Sequence, residues 1–425
     1  MKSVQELLKI LEENHLWPLR SQAELSQRIL KERLHSILPV AMKAADIDCW
    51  LIIASEYNED PVHKSLYTWD VPHARRTSAL LFHLRDDGEI DKIQIGGSSA
   101  AMNEIYRSVS DPDETIWQTL VRALESLDAR RIGINKSDDF GLAAGLSASL
   151  EAQLMRHLPA SLRGRLVPAE ELAVFYMQQL TPLEIDLMRV LTDVTHEIIN
   201  MTFLKERITL NQTTTTDLEW FMRDTIDALG GTFWFGPDID LQRKGISTSR
   251  MFHEVIRPGD LLHCDIGFRP RFISLHTDVQ RLCYVLKDNE KNAPAGLSHV
   301  LSQGNQFQDI VMRQMRNGRS GNDIYLSAMK DAADAGLAAQ LYTHPLGTYG
   351  HGAGPAIGLY GSTEPVPVRG DYPLKKDVCF ALELNCKASV PEWDGQTVYA
   401  YLEEDICFQE EATFLSGRQT ELILV

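Results

Sequence analysis

The sequence predicts an α+β protein of two domains, and three observations support that prediction. At 425 residues the chain is long enough for two domains that each bury a core. Helical and strand-like patterns alternate up to about residue 175. Beyond that point, strand-like apolar runs carry carboxylates and follow segments with a helical apolar stripe. We therefore expect an N-terminal domain at 1–175 and a second domain at 176–425.

Local patterns in the N-terminal part predict a mixture of helices and strands. Residues 21–37 have the apolar spacing of a helix, and residues 49–54 form a continuous apolar run typical of a buried strand. The Asp-Asp-Gly turn at 86–88 lies between two apolar runs and predicts a β-hairpin. The polar segment 56–61 is typical of a surface loop, and a role at a neighbouring subunit's active site is the alternative.

A strong helix-start pattern marks the beginning of the second domain. Thr181 is a suitable N-cap, Pro182 suits the first helical position, and Glu184 completes a capping box. The apolar residues that follow recur at helical spacing and indicate core packing. Further helices are predicted at 217–229, 301–316 and 323–335.

Composition and charge restrict the class of protein. The net charge of −17 disfavours non-specific nucleic-acid binding. No window is long and apolar enough for a membrane span, and the N-terminal residues lack the apolar core of a signal peptide. The six cysteines are scattered without paired spacing, which is typical of reduced thiols in a cytoplasmic protein.

Two aspartates lie in a predicted hairpin at residues 261–285. Asp265 ends one apolar run and Asp278 begins the next. A buried carboxylate without a partner is costly, and two of them on facing strands repel each other unless a cation lies between them. This segment alone leaves two interpretations open, a metal site or an exposed hairpin with solvated aspartates.

Further metal-ligand residue types occur downstream with apolar flanks. His344 and His351 lie in a glycine-rich segment, Glu383 follows an apolar run, and residues 403–405 are Glu-Glu-Asp within another. Carboxylates combined with one imidazole suit divalent ions such as Mn²⁺, Co²⁺, Fe²⁺ or Zn²⁺. Two such ions can together activate water and polarise a carbonyl group.

These motifs resemble those of the pita-bread metallopeptidases, which include methionine aminopeptidase, aminopeptidase P, prolidase and the metal-free relative creatinase. The family pattern is D-x-G, D-x-x-R, H-x-x-G-x-x-x-H, a strand-end Glu and E-E-D. This chain carries the motifs in the same order at residues 265–267, 278–281, 344–351, 383 and 403–405. The resemblance implies a duplicated αβ, pita-bread catalytic domain behind a smaller, mixed α/β, creatinase-like N-terminal domain.

The resemblance also implies ligands for two divalent ions, with Mn²⁺ as the first choice. Asp265 would bind one ion. Asp278 and Glu403 would bridge both ions. His344 and Glu383 would complete the ligands of the second ion. Because neighbouring side chains of a strand face opposite sides, Glu404 is the alternative to Glu403, and we choose Glu403.

Other residues acquire substrate-side roles from the resemblance. Glu383 would also move the proton of the attacking water, and His351 would hydrogen-bond the scissile carbonyl. Arg369 resembles the arginine that binds a substrate carboxylate in prolidase, and an ordinary loop arginine is the alternative. The family's upstream substrate-side histidine would fall near residues 247–248, where there is none, and His253 is a possible replacement.

The histidine motif allows a second alignment. His351 could be the ligand, with Pro355 where the second histidine belongs. We prefer His344 as the ligand because only that alignment keeps both histidines.

The predicted function is therefore that of a dinuclear Xaa-Pro aminopeptidase or Xaa-Pro dipeptidase acting on short peptides. Leu384-Asn385 and Tyr401 depart from the pattern of aminopeptidase P and prolidase, and these departures concern the substrate side. The alternatives are a creatinase-like hydrolase of a non-peptide C–N bond and a non-catalytic binding protein of the same fold. The retained ligand positions favour the peptidase, and the resemblance implies a homodimer.

Overall fold

Residues 2–425 are described by a computed structural model, and their elements fall into two units. One unit comprises residues 23–181, and the other comprises residues 2–22 together with 182–425. These units are defined by internal contacts alone, so the domain limits 1–175 and 176–425 stay a prediction. None of the helices in residues 2–425 has the length and apolar character that a membrane crossing requires.

Two helices begin the chain, α1 (Val4–Glu13) and α2 (Leu19–Ser36). Ser3 caps α1 in a capping box with Glu6. Helix α2 continues into the unit of residues 23–181.

The unit of residues 23–181 is built on one mixed sheet. Its strands are β1 (Cys49–Ser55), β2 (Thr77–Leu84), β3 (Ile90–Ile95), β4 (Arg107–Val109), β5 (Ile132–Ile134) and β6 (Leu166–Pro168). They lie in the order β4-β3-β2-β1-β5-β6. Strands β1, β2 and β3 pair antiparallel, whereas β4, β5 and β6 join parallel to their neighbours. The predicted hairpin at 86–88 is confirmed, because β2 and β3 pair directly across it.

Helices cover this sheet. They are α3 (Leu38–Ala44), α4 (Pro61–Leu66), α5 (Ala100–Asn103), α6 (Ile116–Leu127), α7 (Ala148–His157), α8 (Ala160–Arg163) and α9 (Glu170–Gln178). Leu120 and Leu124 of α6 share a buried cluster with Leu51 of β1 and Leu81 of β2. The apolar stripe of an amphipathic helix thus closes one face of the sheet.

The unit of residues 2–22 and 182–425 contains two successive αβ halves. Helices α10 (Pro182–Thr202) and α11 (Thr215–Ala228) open the first half, and α12 (Ala295–Gln314) and α13 (Gly321–Asp334) open the second. The predicted helix start at Pro182 is confirmed. Helix α12 begins six residues before the predicted 301, because Leu297 and Val300 extend its buried face towards Pro294.

Short strands, antiparallel except for the last one, follow each helix pair. The first half has β7 (Gly231–Thr232), β8 (Asp238–Gln242), β9 (Met251–Phe252), β10 (Leu261–Ile266), β11 (Arg269–Pro270) and β12 (Val279–Tyr284). The second half has β13 (Ala338–Leu346), β14 (Ile357–Gly358), β15 (Val378–Ala381), β16 (Leu384–Val390), β17 (Gln396–Leu402), β18 (Asp405–Phe408), β19 (Ala412–Phe414) and β20 (Ile423–Leu424).

A backbone contact joins the two main sheets of this unit. The first sheet has the order β20-β12-β10-β8-β9, and the second has the order β17-β16-β13-β15-β18-β19 with β14 beside β13. Strands β11 and β7 form a separate pair. The backbone N–H of Gln280 on β12 donates to the carbonyl of Glu403, between β17 and β18, at 3.0 Å. This contact brings the acidic segments of both halves together.

Candidate metal centre

Side chains from both halves converge on one cluster. Asp278 directly precedes β12, His344 lies in β13, and Glu403 follows β17. One ligand-type atom from each of the three residues lies within 4.8 Å of the others. Nε2 of His344 is 3.6 Å from Asp278 Oδ2 and 3.7 Å from Glu403 Oε1. This spacing suits one imidazole and two carboxylates arranged around a cation.

Glu383 and Asp265 adjoin this cluster. Oε2 of Glu383 lies 3.9 Å from Nε2 of His344. Asp265, near the end of β10, faces Gln280 on β12 in the strand pairing. The charge of Asp265 contributes to raising the pKa of Asp278, Glu383 and Glu403, so it belongs to the same electrostatic group.

Several atoms of the cluster are buried without a hydrogen-bond partner among the described residues. They are Oδ1 of Asp265, Oδ1 of Asp278, Nε2 of His344 and Oε1 of Glu403. Buried polar atoms are normally paired, and unpaired ones call for an explanation such as an ion. Carboxylate oxygens and an imidazole nitrogen are the ligands of divalent metals, so this donor set fits such an ion.

The raised pKa values of the clustered carboxyl groups also indicate a site that suits a cation. Burial, and then the charges of the neighbouring carboxylates, hold the pKa values of Asp278 and Glu403 well above the usual range. Burial likewise raises the pKa of Glu383, and it raises the pKa of Asp265 to about 6. A bound cation would offset this repulsion and allow the carboxylates to ionise.

Glu404 lies next to Glu403 in sequence but belongs to another set of contacts. Its Oε2 lies 2.8 Å from Nε2 of His196, and its Oε1 accepts a hydrogen bond from Arg281 Nη2 at 3.1 Å. Oε1 also accepts the backbone N–H of Gln419 at 2.9 Å. The structure thus brings Glu403, and not Glu404, to the cluster of His344.

His351 lies at the edge of the cluster. Its ring centroid is 4.6 Å from that of His344 and 5.0 Å from that of Trp234, and both pairs are nearly perpendicular. Although part of the ring is exposed, desolvation lowers the pKa of His351 to about 4, with smaller effects from His344 and Arg369. A neutral imidazole here can donate one hydrogen bond towards the cluster.

Trp234 forms an apolar wall beside His351. Its Nε1 donates to the carbonyl of Thr277 at 3.0 Å. The indole lies directly against Gly267 and Gly350, where a Cβ atom would come within 2.0 Å and 2.3 Å of it. Since real Cβ atoms do not approach so closely, the indole requires glycine at both positions.

The two remaining predicted substrate residues lie at the surface. Arg369 is exposed at the start of a short turn, and its charge contributes to lowering the pKa of His351. His253 is also exposed, and its Nδ1 lies 3.0 Å from Oγ1 of Thr216. Within residues 2–425, no contact joins His253 to the metal-ligand cluster.

Sequence reasoning missed a polar side chain at the centre of the site. Nε2 of Gln280 donates to Oε1 of Glu383 at 2.7 Å and to Oε2 of Glu403 at 2.8 Å. Gln280 is buried, at 3% exposure, and lies between Val279 and Arg281 in strand β12. Its position inside the D-x-x-R motif at 278–281 was the available sequence signal.

A buried chain of contacts continues from this glutamine. Oε1 of Gln280 lies 2.9 Å from Nε2 of His263, and Nδ1 of His263 lies 2.9 Å from Oδ2 of Asp240. Nε of Arg250 donates to the same Asp240 oxygen at 2.7 Å. His263 and Asp240 lie outside the motifs of the sequence analysis. The two residues are brought together by the pairing of β8 with β10.

Comparisons with known proteins place this site in a family. Residues 186–411 match the model of metallopeptidase family M24. A search of curated proteins found no match to the chain.

Solved structures show a similar fold. The X-Pro aminopeptidase from Thermotoga maritima MSB8 has a TM-score of 0.66 and 15% identity, over 91% of this chain and 100% of that chain. The prolidase from Pyrococcus horikoshii OT3 has a TM-score of 0.62 and 14% identity, over 92% and 100%. The N-terminal domain of FACT complex subunit SPT16 from Cicer arietinum has a TM-score of 0.56 and 12% identity, over 94% and 99%.

Identities this low indicate a common fold and leave the substrate open. The family match itself covers more than half of the chain and includes every residue of the carboxylate and histidine cluster. With its mixed α/β N-terminal part and its duplicated αβ catalytic fold, this chain belongs to metallopeptidase family M24.

Proposed function

We propose that this protein is a metal-dependent peptidase that hydrolyses the bond before proline in short peptides. The observation that carries the proposal is the convergence of Asp278, His344 and Glu403, whose buried ligand atoms lack hydrogen-bond partners among the described residues. The choice of an Xaa-Pro bond is supported by the aminopeptidase and the prolidase that share the fold.

The proposed cofactor is a pair of divalent ions, with Mn²⁺ as the first choice and Co²⁺, Fe²⁺ or Zn²⁺ as alternatives. Asp265, Asp278, His344, Glu383 and Glu403 would hold the ions, and their donor set supports this assignment. Divalent ions bound there would polarise the scissile carbonyl and make a water molecule more acidic.

The chain's own residues would supply proton transfer and orientation. Burial raises the pKa of Glu383 well above its usual value and so favours its protonated form, and this carboxyl group would take up and return the proton of the attacking water. The neutral imidazole of His351 would donate a hydrogen bond to the scissile carbonyl oxygen. The indole of Trp234 beside it would hold an apolar part of the substrate and exclude water.

Two surface residues complete the substrate proposal. The exposed guanidinium of Arg369 would bind the free carboxylate of a short peptide. His253 remains a proposed substrate contact at the periphery, where its present partner is Thr216.

We also propose a cytoplasmic homodimer. All six cysteines are free and buried, which supports a reducing compartment. Sedimentation velocity would test the dimer, and a monomer at micromolar concentration would contradict it.

The test is hydrolysis of Xaa-Pro dipeptides and Xaa-Pro-Xaa tripeptides by protein stripped with a chelator and reloaded with Mn²⁺, Co²⁺ or Zn²⁺. We expect metal-dependent cleavage that Asp278→Asn abolishes. A preference for dipeptides would support the dipeptidase type and the role of Arg369. A preference for tripeptides would support the aminopeptidase type.

Two outcomes would contradict the proposal in different ways. Tight metal binding without cleavage of either peptide class would disprove the substrate, and amide and guanidine compounds with a non-peptide C–N bond would then be tested. Absence of metal binding would disprove the peptidase itself and favour a non-catalytic binding protein of the same fold.

A further inference from the structure

We infer that Gln280 is a positioning residue that orients two of the proposed metal ligands, and that a buried polar chain holds its amide in place. The inference rests on the proposed function, because it concerns how Glu383 and Glu403 present their oxygens to a cation.

One amide nitrogen reaches both carboxylates. Nε2 of Gln280 donates to Oε1 of Glu383 at 2.7 Å and to Oε2 of Glu403 at 2.8 Å. The other oxygen of each carboxylate is the one directed to His344 Nε2, at 3.9 Å for Glu383 and 3.7 Å for Glu403. The amide therefore determines which oxygen of each carboxylate is left for a metal ion.

The orientation of the amide is fixed by chemistry. Only the NH₂ end of a glutamine can donate to two carboxylates, so its carbonyl oxygen must face the other way. That oxygen lies 2.9 Å from Nε2 of His263. A flipped amide would place its oxygen against both carboxylates, which is strongly unfavourable.

Further contacts hold His263 in turn. Its Nδ1 lies 2.9 Å from Asp240 Oδ2, the oxygen that also accepts a hydrogen bond from Arg250 Nε at 2.7 Å. His263 and Asp240 are 1% and 0% exposed, so solvent does not compete for these contacts. This series of polar contacts ends at Arg250, which lies partly exposed beside the rings of Phe252 and Tyr401.

The strand register explains why these polar groups meet. His263 pairs with Asp240 on β8, and Asp265, two residues further along β10, pairs with Gln280 on β12. Directly paired residues and residues two apart share one face of a sheet. The same sheet face thus carries the proposed ligand Asp265 and the network that positions the ligands of the other half.

The simpler explanation is that Gln280 only satisfies buried groups and stabilises the fold. The two explanations differ in their consequence for metal affinity. Groups that orient metal ligands typically change affinity by about 10–100-fold when they are replaced. A purely stabilising amide would change the free energy of unfolding and leave affinity unaltered.

The principal variant is Gln280→Met, which keeps the length of the side chain and removes its N–H donors. Mn²⁺ affinity is measured by isothermal titration calorimetry, and the ligand geometry is followed by the visible absorption of the Co²⁺-loaded protein. We expect Mn²⁺ to bind about 10–100-fold more weakly and the Co²⁺ spectrum to change.

Gln242→Met is the matched control. Gln242 is buried in the neighbouring strand β8, and its amide makes two hydrogen bonds to the backbone of Tyr399, at 2.8 and 2.9 Å. It does not touch the carboxylates of the cluster in the described residues. We expect this variant to lose stability while keeping the Mn²⁺ affinity and the Co²⁺ spectrum of the unaltered protein.

Gln280→Asn is a second variant in case Gln280→Met does not fold. Its amide can still donate, but the shorter side chain cannot reach both carboxylates, so an intermediate affinity is expected. Unchanged Mn²⁺ affinity and an unchanged Co²⁺ spectrum in folded Gln280 variants would overturn this inference alone. Absence of Mn²⁺ and Co²⁺ binding in the unaltered protein would overturn the proposed function together with it.

Discussion

Glu403 and Glu404 are adjacent buried glutamates with opposite surroundings. The carboxylate of Glu404 contacts His196, Arg281 and the backbone N–H of Gln419. Among residues 2–425, Oε1 of Glu403 lacks a hydrogen-bond partner, and burial together with the charge of Asp265 raises the pKa of this carboxyl group. Adjacent residues of an extended chain point to opposite sides, so one acid joins a completed set of contacts and the other joins an incomplete one.

This difference distinguishes a carboxylate that stabilises the fold from one whose surroundings suit the proposed cation. A buried carboxylate with positive and donor partners contributes to the fold, and removing it leaves those partners uncompensated. A buried carboxylate that faces other carboxylates destabilises the metal-free fold and gains from an ion. Four predictions test this comparison between the Glu403 cluster, which contains Asp278 and His344, and the Glu404 cluster, which contains His196 and Arg281.

The largest effect is expected from Asp278→Asn in the Glu403 cluster. Loss of a charged ligand should reduce metal-dependent peptidase activity by about 10³-fold or more. The thermal midpoint of the metal-free variant should rise, because one buried carboxylate charge is gone. Activity assays with saturating Mn²⁺ and calorimetric scans with chelator measure the two effects. Unchanged peptidase activity of Asp278→Asn would show that this cluster is not required for the reaction.

The next effect concerns Glu404→Ala. It leaves the buried His196 and the partly buried Arg281 without their carboxylate partner, so we expect a loss of about 3–5 kcal/mol in the free energy of unfolding. Metal stoichiometry should stay the same. Urea unfolding and metal analysis provide the measurements, with Glu404→Gln as the variant that keeps an acceptor. If Glu404→Ala lost its metal and kept its stability, Glu404 would be the metal-binding glutamate and Glu403 would not.

A smaller effect is the pH dependence of the metal-free protein. Burial raises the pKa of Asp265 from 3.8 to about 6, and the pKa values of Asp278, Glu383 and Glu403 are also raised. The native state then binds more protons than the unfolded state, so its stability decreases as the pH rises from about 4 through 6. Bound Mn²⁺ should reduce this decrease by replacing the protons.

Thermal midpoints between about pH 4 and pH 8, with chelator and with Mn²⁺, would measure this effect. Asp265→Asn serves as the control, because it should flatten the profile obtained with chelator. A midpoint that increases with pH in the metal-free protein would contradict the assigned direction.

The smallest effect is expected from Thr192→Val, which removes a hydroxyl that contacts Asp405. Oγ1 of Thr192 donates to Asp405 Oδ2 at 2.8 Å, and the other oxygen of Asp405 accepts the backbone N–H of Asp278 at 3.0 Å. Loss of the hydroxyl should cost about 1 kcal/mol of stability and weaken Mn²⁺ binding only slightly. Chemical unfolding and calorimetric titration would measure these changes. A large loss of affinity would mean that Asp405 helps to hold the ligand segment.

Local chemistry made parts of the fold predictable from sequence. The Asp-Asp-Gly turn at 86–88 and the proline at the start of α10 act within a few residues, and both predictions were confirmed. Helix limits were less accurate. Helix α2 begins at Leu19, before the predicted residue 21, because apolar spacing shows the buried face of a helix but does not fix its first turn.

The candidate site was predictable only in part. The aspartates and histidines stood out as polar residues in recognisable motifs, and the structure brings Asp278, His344 and Glu403 together. Gln280 and His263 did not stand out, because their partners come from strands distant in sequence. Single-sequence periodicity shows which face a residue occupies but does not show which strand lies beside it.

The indole of Trp234 has a consequence for how this sequence can change over generations. It rests on Gly267 from the first half and on Gly350 from the second, and neither position leaves room for a Cβ. A mutation at either glycine would survive only after a smaller side chain had replaced the tryptophan, and that loss would open the wall beside His351. The three positions should therefore vary together among descendants of this chain, as a linked set drawn from both αβ halves.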